Sequence, residues 1–143
     1  MQLDLYLQEV RHLAARQKAI LDQAAARLRD GDALTPLEEN GVLHALQVLS
    51  ENAIGKARHM LKAAGQPVPV SAYDVFRTLG ELGYVASGDV AHWNAIIGVR
   101  NRIVHDYLNL DIGLILELVR RDEHHFIYDF VVADFPEAIQ PRP

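Results

Sequence analysis

The feature that most constrains the fold of this chain is a helical spacing of apolar residues that continues with few breaks along its 143 residues. Between residues 3 and 29, apolar side chains recur mostly at intervals of three and four, and the segment ends at Gly31. These intervals place the side chains on one face of an α-helix, because the helix turns once in about 3.6 residues. No segment shows the two-residue alternation that is typical of a strand. The sequence therefore predicts an all-α fold.

A second helix is predicted from Thr35 to about Ala64. Thr35, Pro36 and Glu38 form a helix start, because threonine caps the first turn, proline suits the first helical position and the glutamate can bond back to the cap. The apolar residues of this helix form two adjacent stripes: Val42, Leu46, Leu49, Ala53 and Met60, and Leu43, Ile54, Ala57 and Leu61. So wide an apolar surface predicts burial on two sides, either at the centre of a bundle or partly against a second subunit.

Three further helices are predicted in the rest of the chain. Ser71 is expected to cap a short helix that ends near Gly83, and Asp89 to cap a fourth. The fifth is expected to begin after Asp111 and to run unbroken to about Ala133. We therefore expect a bundle of about five helices.

Composition supports one ordinary globular domain over residues 1–143, with a C-terminal tail that frays from about residue 136. Half of the residues are apolar and 23% are charged, which is usual for such domains. The absence of cysteine excludes disulfides and thiolate metal sites. The start, MQLDLYLQEV, has no basic region followed by an apolar core, and no apolar run has the length of a membrane span. We expect a cytoplasmic protein without a membrane partner.

The net charge of the chain limits the kinds of nucleic-acid binding that can be expected. A net charge of −5 argues against a general nucleic-acid coat, but an RNA enzyme needs only a local cationic spot. Arg100 and Arg102 provide one, and Arg120 and Arg121 would extend it. Any RNA substrate should therefore be a specific one.

The octapeptide RNRIVHDY, residues 100–107, carries the side chains best suited to chemistry. Arg100 offers a planar fork of donors for phosphate oxygens, and histidine, as at His105, is the side chain that ordinarily exchanges a proton near neutral pH. Metal-free cleavage of RNA requires such a pair, because the 2′-hydroxyl of RNA supplies the nucleophile. From the spacing alone, the more common arrangement of these residue types is surface arginines and a partly buried histidine near a helix end.

The two residues of this pair do not share a helix face. Five positions rotate about 500°, which leaves Arg100 and His105 about 140° apart, whereas Asn101 and His105 lie on one face. Either the helix ends here or the site gathers residues from two chains. Gly98 costs roughly 1 kcal/mol in a helix, and it is explained if another helix backbone comes close. Both points favour a site at a homodimer interface.

The other polar residues give weaker signals. His124 and His125 are consecutive, so on a helix they point about 100° apart. We expect them to face solvent and not to bind a metal together, and we predict no metal and no cofactor. Glu51 and Asn52 interrupt the apolar second helix. They form a pair at its rim, or one of them faces the pocket of His105.

A longer run that contains the octapeptide, IIGVRNRIVHDY, resembles the signature of HEPN-domain ribonucleases. The closest likeness is to the HepT-like toxins of MNT/HEPN toxin–antitoxin systems, whose motif has Arg, four residues, His, one residue and Tyr. ENAIGKARHML is similar to their second helix, and SAYDVFRTLGELG followed by VASGDVAHWNAIIG is similar to the stretch that precedes their catalytic helix. The resemblance covers roughly residues 37–130.

The resemblance implies a HEPN-type helical bundle that forms a homodimer and acts as a metal-independent endoribonuclease, with tRNA as the expected substrate. Arg100 and His105 match the catalytic pair of the family, and Asn101 matches its supporting polar residue. Tyr107 matches the tyrosine that a nucleotidyltransferase, the MNT antitoxin, modifies with AMP to silence the toxin in modules of the type VII kind. Arg102 matches no family role, and we expect it to contact substrate because of its charge.

Two other interpretations remain open at the level of sequence. The chain could be a non-catalytic HEPN binding module that docks a nucleotidyltransferase or a nucleotide. It could also be a plain structural helical dimer. Growth arrest on induced expression in bacteria separates a ribonuclease toxin from both.

Overall fold

The computed structural model describes residues 2–139 of the chain, with side chains from residue 3. These residues form six α-helices and no strand, which confirms the all-α prediction. The helices are α1 (Gln2–Arg29), α2 (Pro36–Ala63), α3 (Ala72–Leu82), α4 (Val90–His105), α5 (Ile112–Arg120) and α6 (His124–Val132). Short 3₁₀ turns cover Ser87–Asp89, Tyr107–Asn109 and Glu137–Ile139.

The helix α2 lies at the centre of the bundle and packs against α1, α3, α4 and α6. Its predicted start is confirmed, since the Thr35 side chain accepts from the Glu38 backbone and the Glu38 side chain accepts from the Thr35 backbone. All nine residues of its two apolar stripes are buried. Because four neighbouring helices of the same chain cover these stripes, burial of α2 requires no second subunit.

The central helix also carries a buried cation. The Lys56 side chain is only 1% exposed, and its amine donates to the carbonyls of Phe130, at 2.6 Å, and of Ala133. These carbonyls lie at the C-terminal end of α6, where the helix leaves its last acceptors without partners. Burial and the nearby charge of Arg11 lower the pKa of Lys56 to about 8. The amine therefore ties α2 to α6 through the inside of the bundle.

An aromatic cluster anchors the beginning of α4. The Phe76 and Trp93 rings stack with centroids 4.3 Å apart, and Phe126 and Phe130 pack against Trp93 at 4.9 and 4.8 Å. Such contacts contribute packing energy beyond the burial of apolar area. These ring contacts pack the first half of α4 against α3 and α6. The second half of α4 contains the first six residues of the octapeptide.

The predicted fifth helix is wrong as a single helix, because α5 ends at Arg120 and α6 begins at His124. Between them Asp122 has φ 61°, a left-handed conformation that ends a helix. Aspartate tolerates this region better than most residues, and the Asp122 carboxylate accepts from Arg29 Nη1 at 3.0 Å. The break explains why the bundle has six α-helices and not about five.

The ends of the elements differ from the predictions in smaller ways. Ser71 and Asp89 occupy the N-cap positions of α3 and α4, but neither makes a side-chain cap hydrogen bond. The tail predicted to fray from about residue 136 instead forms a turn at Glu137–Ile139 that buries Ile139 on the core. Residues 140–143 lie outside the described part of the chain. None of the described helices is both long and apolar enough to cross a membrane.

Candidate functional site

The octapeptide lies where α4 ends. The helix stops at His105, and Asp106 leaves helical geometry with φ −145° and ψ 45°. A 3₁₀ turn at Tyr107–Asn109 follows, held by a 2.7 Å hydrogen bond from the Asn109 amide to the Asp106 carboxylate. Arg100 and His105 both lie within α4, so the end of the helix does not bring their side chains to one face. A site that gathers residues from two chains stays a prediction.

The motif residues occupy a partly open surface at this helix end. Arg100 and Asn101 are half-buried, whereas Arg102 and His105 are exposed. The Asn101 amide donates to the Tyr73 hydroxyl of α3 at 3.5 Å. The Arg100 Nε is buried and has no acceptor among the described residues. A buried donor without a partner is costly, so this nitrogen is suited to an acceptor from another molecule.

The cations of the motif differ from most other arginines in being unpaired. Seven arginines bind a carboxylate or a backbone carbonyl of the described chain: Arg11, Arg27, Arg29, Arg58, Arg77, Arg120 and Arg121. Within residues 2–139, Arg100 and Arg102 have no such partner, a property shared only by Arg16 on α1. The motif therefore presents two neighbouring free cations.

Arg120 and Arg121, the predicted extension of this cationic spot, are both paired. Both side chains bind Glu117, at 2.7 Å and 3.0 Å. Hydrogen bonds from the two arginines lower the pKa of Glu117 to about 2, so the carboxylate offsets part of their charge. Of the four arginines that the sequence singled out, Arg100 and Arg102 are the two without such a partner among the described residues.

Tyr107 is 51% exposed. Its hydroxyl donates to the Asn40 side-chain oxygen, in the first turns of α2, at 3.2 Å. Val104 and Leu108 are also exposed, Leu108 at 97%. Single exposed apolar side chains are common, and Val70 and Leu37 are also exposed, at 94% and 82%.

Gly98 lies two residues before Arg100. A Cβ atom built there would have one neighbour within 4 Å among the described residues, the Tyr73 hydroxyl at 3.8 Å, which is an ordinary contact. No backbone of another described helix makes the close approach that the sequence suggested. An approach by a second molecule stays a prediction.

Glu51 and Asn52, whose roles the sequence left open, differ in environment. Glu51 is exposed and accepts from Gln47 of the preceding turn at 3.4 Å. Asn52 is half-buried, and its Nδ2 is buried without an acceptor among the described residues. Neither side chain contacts His105 in the described chain, so Glu51 fits the interpretation of a polar residue at the helix rim.

The motif lies outside the apolar cavity between the helices. An apolar cavity of about 160 Å³ lies between α2, α4, α5 and α6, with Ile96, Val99 and Leu118 in its wall. None of the five motif residues named above, at positions 100, 101, 102, 105 and 107, lines it. An open surface with free cations suits a polymer strand better than an enclosed small molecule.

The histidine pair at the start of α6 corrects another expectation. His124 is buried at 2% exposure and does not face solvent as predicted. The Nε2 atoms of His124 and His125 both lie against Asp22 Oδ1 of α1, at 2.8 and 2.7 Å. Two rings that start about 100° apart can reach one atom when that atom lies between their directions. Consecutive positions therefore do not prevent a shared partner.

The sequence as a whole matches a known family. The family described as "Ribonuclease HepT-like" matches residues 12–132, a span that contains the entire octapeptide. This chain belongs to the HepT-like ribonuclease family. The match places Arg100 and His105 inside a family region and agrees with the HEPN resemblance of the sequence. No curated protein sequence matches the chain.

Solved structures support the HepT-like fold independently of the sequence. A tri-AMPylated HEPN toxin of Shewanella oneidensis, in complex with an MNT antitoxin, superposes with a TM-score of 0.74 at 19% identity, covering 90% of this chain and 98% of the other. A toxin–antitoxin structure with AMP-PNP gives 0.73 at 18% identity, covering 88% and 97%. At such low identity these likenesses establish the fold, which is that of a HEPN toxin.

Two neighbours of the motif could not be found from the sequence. Tyr73 and Asn40 lie 28 and 67 positions before the residues that they contact. No spacing rule joins residues so far apart, because the helix-packing geometry decides which of them meet. Both contacts fix the orientation of motif side chains on the outer surface of α4 and its turn.

Proposed function

We propose that this chain is the toxin of a toxin–antitoxin module and acts as a metal-independent endoribonuclease, with tRNA as its substrate. The observation that carries the proposal is the unpaired state of Arg100, Arg102 and His105 at one helix end, inside a HepT-like family match. Elsewhere the described chain pairs nearly all of its arginines. Free cations beside an exposed histidine are what a phosphodiester substrate requires.

In the proposed mechanism His105 accepts the proton of a ribose 2′-hydroxyl. The 2′-oxygen forms a bond to the adjacent phosphorus, and the bond from phosphorus to the 5′-oxygen breaks. Arg100 stabilises the negative charge that builds on the phosphoryl oxygens, and Arg102 holds a flanking phosphate. The leaving 5′-oxygen takes up a proton. The products are a 2′,3′-cyclic phosphate end and a 5′-hydroxyl end.

We further propose that the active form is a homodimer with the two α4 ends facing each other. Arg100 and His105 point in different directions on α4, so a composite site can take one residue from each chain. Gly98 leaves its backbone open to a close neighbour, and Val104 and Leu108 are exposed beside it. Asn101 then serves as a supporting donor, already oriented by Tyr73.

Regulation would act through Tyr107 and a nucleotidyltransferase antitoxin of the MNT class. The similar Shewanella oneidensis toxin is tri-AMPylated and bound to an MNT antitoxin. Tyr107 is 51% exposed and lies two positions after His105. An AMP group on that oxygen would add bulk and negative charge where the RNA phosphate must lie, so repulsion and occlusion would silence the enzyme.

Induced expression in bacteria tests the toxin activity. We expect growth arrest by the wild type and by Arg16→Lys and His12→Ala, which change an unpaired arginine and an exposed histidine on α1. Arg100→Lys and His105→Ala should permit growth while the folded protein accumulates. Normal growth with the wild type would instead favour the alternative of a non-catalytic HEPN module that docks a nucleotidyltransferase or nucleotide.

Intact mass spectrometry after co-expression with the cognate nucleotidyltransferase tests the regulation. We expect AMP to be added to the wild type and not to Tyr107→Phe, which removes only the hydroxyl and its bond to Asn40. Tyr6→Phe is a control for loss of a tyrosine hydroxyl elsewhere. Equal modification of all three proteins would contradict the assignment of Tyr107.

A further inference from the structure

A cluster of four ligand-type side chains joins α1 to the break between α5 and α6. Asp22, Asp122, His124 and His125 each offer one ligand atom, and all four atoms lie within 4.8 Å of one another. The His125 Nε2 is 3.9 Å from Asp122 Oδ1, and both histidine Nε2 atoms lie within 2.8 Å of Asp22 Oδ1. The imidazole rings are nearly perpendicular, with centroids 4.6 Å apart, so their nitrogens approach from different sides.

Three of the six ligand-atom separations in this cluster lie on either side of the spacing of a tetrahedral metal site, and all six are within 4.8 Å. Metal–ligand distances of about 2.0–2.1 Å place neighbouring ligand atoms about 3.3 Å apart. The two shortest separations would open by about 0.5 Å, and the separation from His125 to Asp122 would close by a similar amount. Side-chain rotations are sufficient for both changes, because Asp22, Asp122 and His125 are all partly exposed.

The surrounding charges allow a cation to bind. Lys18 binds Asp22 Oδ2 at 2.6 Å, the oxygen that does not meet the histidines. Arg29 binds Asp122 Oδ1 at 3.0 Å, the same oxygen that lies 3.9 Å from His125 Nε2, so a metal would use its second lone pair or the Oδ2 atom of this carboxylate. The His125 side chain is 39% exposed, which gives an ion a path from solvent. A divalent ion would share the two carboxylates with Lys18 and Arg29, so they offset only part of its charge.

We propose that Asp22, Asp122, His124 and His125 bind one divalent first-row transition ion, of which Zn²⁺ fits best. Imidazole nitrogen with carboxylate oxygen is a usual donor set for zinc, and four protein ligands leave no open position for substrate. The site is structural. It holds the left-handed Asp122 and the start of α6 against α1. None of its residues lies on α4 or on the turn of Tyr107, so it is independent of the proposed ribonuclease site.

Metal titration of tag-free protein, stripped with EDTA and dialysed, tests the site. We expect calorimetry with ZnCl₂ to give one ion per chain with a Kd on the order of micromolar or tighter. Co²⁺ should develop the intense visible absorption of tetrahedral coordination. At a metal concentration about 100-fold above Kd, the Tm should rise by roughly 5–10 °C.

Matched variants distinguish a metal-binding site from a cluster of side chains that only hydrogen-bond to one another. His125→Ala and Asp122→Asn should weaken binding by more than the roughly 10–100-fold expected for loss of an outer-shell partner, and His12→Ala should not. Because His125 and Asp122 are partly exposed, circular dichroism should show both variants folded. No binding by the wild type, or binding equally strong in His125→Ala, would overturn the proposal. These variants leave Arg100 and His105 intact, so failure here does not bear on the ribonuclease activity.

Discussion

Lys56 and Arg100 are two cations on adjacent helices that the fold treats in opposite ways. The Lys56 amine is fully buried and is bound by two backbone carbonyls at the end of α6. The Arg100 guanidinium is half-buried, and its Nε has no acceptor in the described chain. Lys56, which joins two helices, therefore has hydrogen-bond acceptors within the described chain, whereas the Nε atom of Arg100, in the family motif, has none.

This difference indicates that Lys56 serves the structure of the bundle and Arg100 its function. A donor left unpaired in a half-buried position lowers stability, so its persistence is explained when a ligand supplies the missing acceptor. Lys56 needs no ligand, and its loss should affect folding. Arg100 contributes little to folding, and its loss should affect activity. Substitutions of Lys56 and of Arg100 should therefore change different measured properties.

Arg100→Lys should lower the rate of RNA cleavage by about 10²–10³-fold, because a single point charge does not replace a planar fork of donors in the transition state. The Tm should change little, since Arg100 makes no hydrogen bond or ion pair with the described chain. Cleavage kinetics on total RNA with a melting curve measure both effects. Arg16→Lys is the matched control, because Arg16 is also unpaired but lies on α1. An equal loss in both variants would remove the distinction.

Lys56→Met should lower the free energy of unfolding by about 2–4 kcal/mol, because the carbonyls of Phe130 and Ala133 lose their donor inside the bundle. Methionine fills a similar volume, so the lost hydrogen bonds dominate. Denaturant unfolding measures the change, with Lys62→Met on the exposed side of α2 as the control. The cleavage rate of the folded fraction should stay near that of the wild type. A stable but inactive Lys56→Met protein would contradict the comparison.

The stability of the wild type should rise with pH above about 8. Between the folded pKa of about 8 and the ordinary lysine pKa of 10.5, the unfolded chain holds a proton on Lys56 that the folded chain lacks. Stability then increases with pH, by about 3 kcal/mol over the full window. Burial raises the pKa of Tyr6 to about 12, which reverses the trend above pH 10. Denaturant midpoints from pH 7.5 to 10 test the sign, and Lys56→Met should lack this rise.

Two glycine variants probe the proposed dimer with the smallest effects on stability. Gly98→Ala has room within the chain and should raise stability by up to about 1 kcal/mol, yet weaken self-association measured by sedimentation. Gly80→Ala should instead lower stability by about 1–3 kcal/mol, because its Cβ would lie 2.6 Å from Val90 Cγ2. A dimer unaffected by Gly98→Ala would remove Gly98 from the interface.

The sequence predicted most of the fold because helix signals are local. The capping box at Thr35 and the glycine after α3 are patterns of a few residues, and both elements follow them. The break at Asp122 was missed because its left-handed turn is held by Arg29 from the far end of α1. The same limit hid the meeting of Asp22 with both histidines, which depends on how α1 packs against α6.

In the candidate site too, the sequence predicted the identity of the residues but not the contacts that depend on packing. Residue types and order sufficed to select Arg100, His105 and Tyr107 by their resemblance to a family. Which arginines remain unpaired could not be predicted, because Arg120 and Arg121 both bind Glu117 in the folded chain whereas Arg100 has no carboxylate partner among the described residues. Pairing is a property of the packed chain, and it reduced four candidate cations to two.

The central claim is that His105 and Arg100 form a ribonuclease site, and mapping of RNA ends tests it most directly. Purified wild type and His105→Ala would be incubated with total RNA in EDTA, with circular dichroism confirming that both are folded. We predict discrete cuts by the wild type that leave 2′,3′-cyclic phosphate and 5′-hydroxyl ends. His105→Ala should cleave about 10²–10⁴-fold more slowly. No cleavage by folded wild type, or equal cleavage by His105→Ala, would contradict the account.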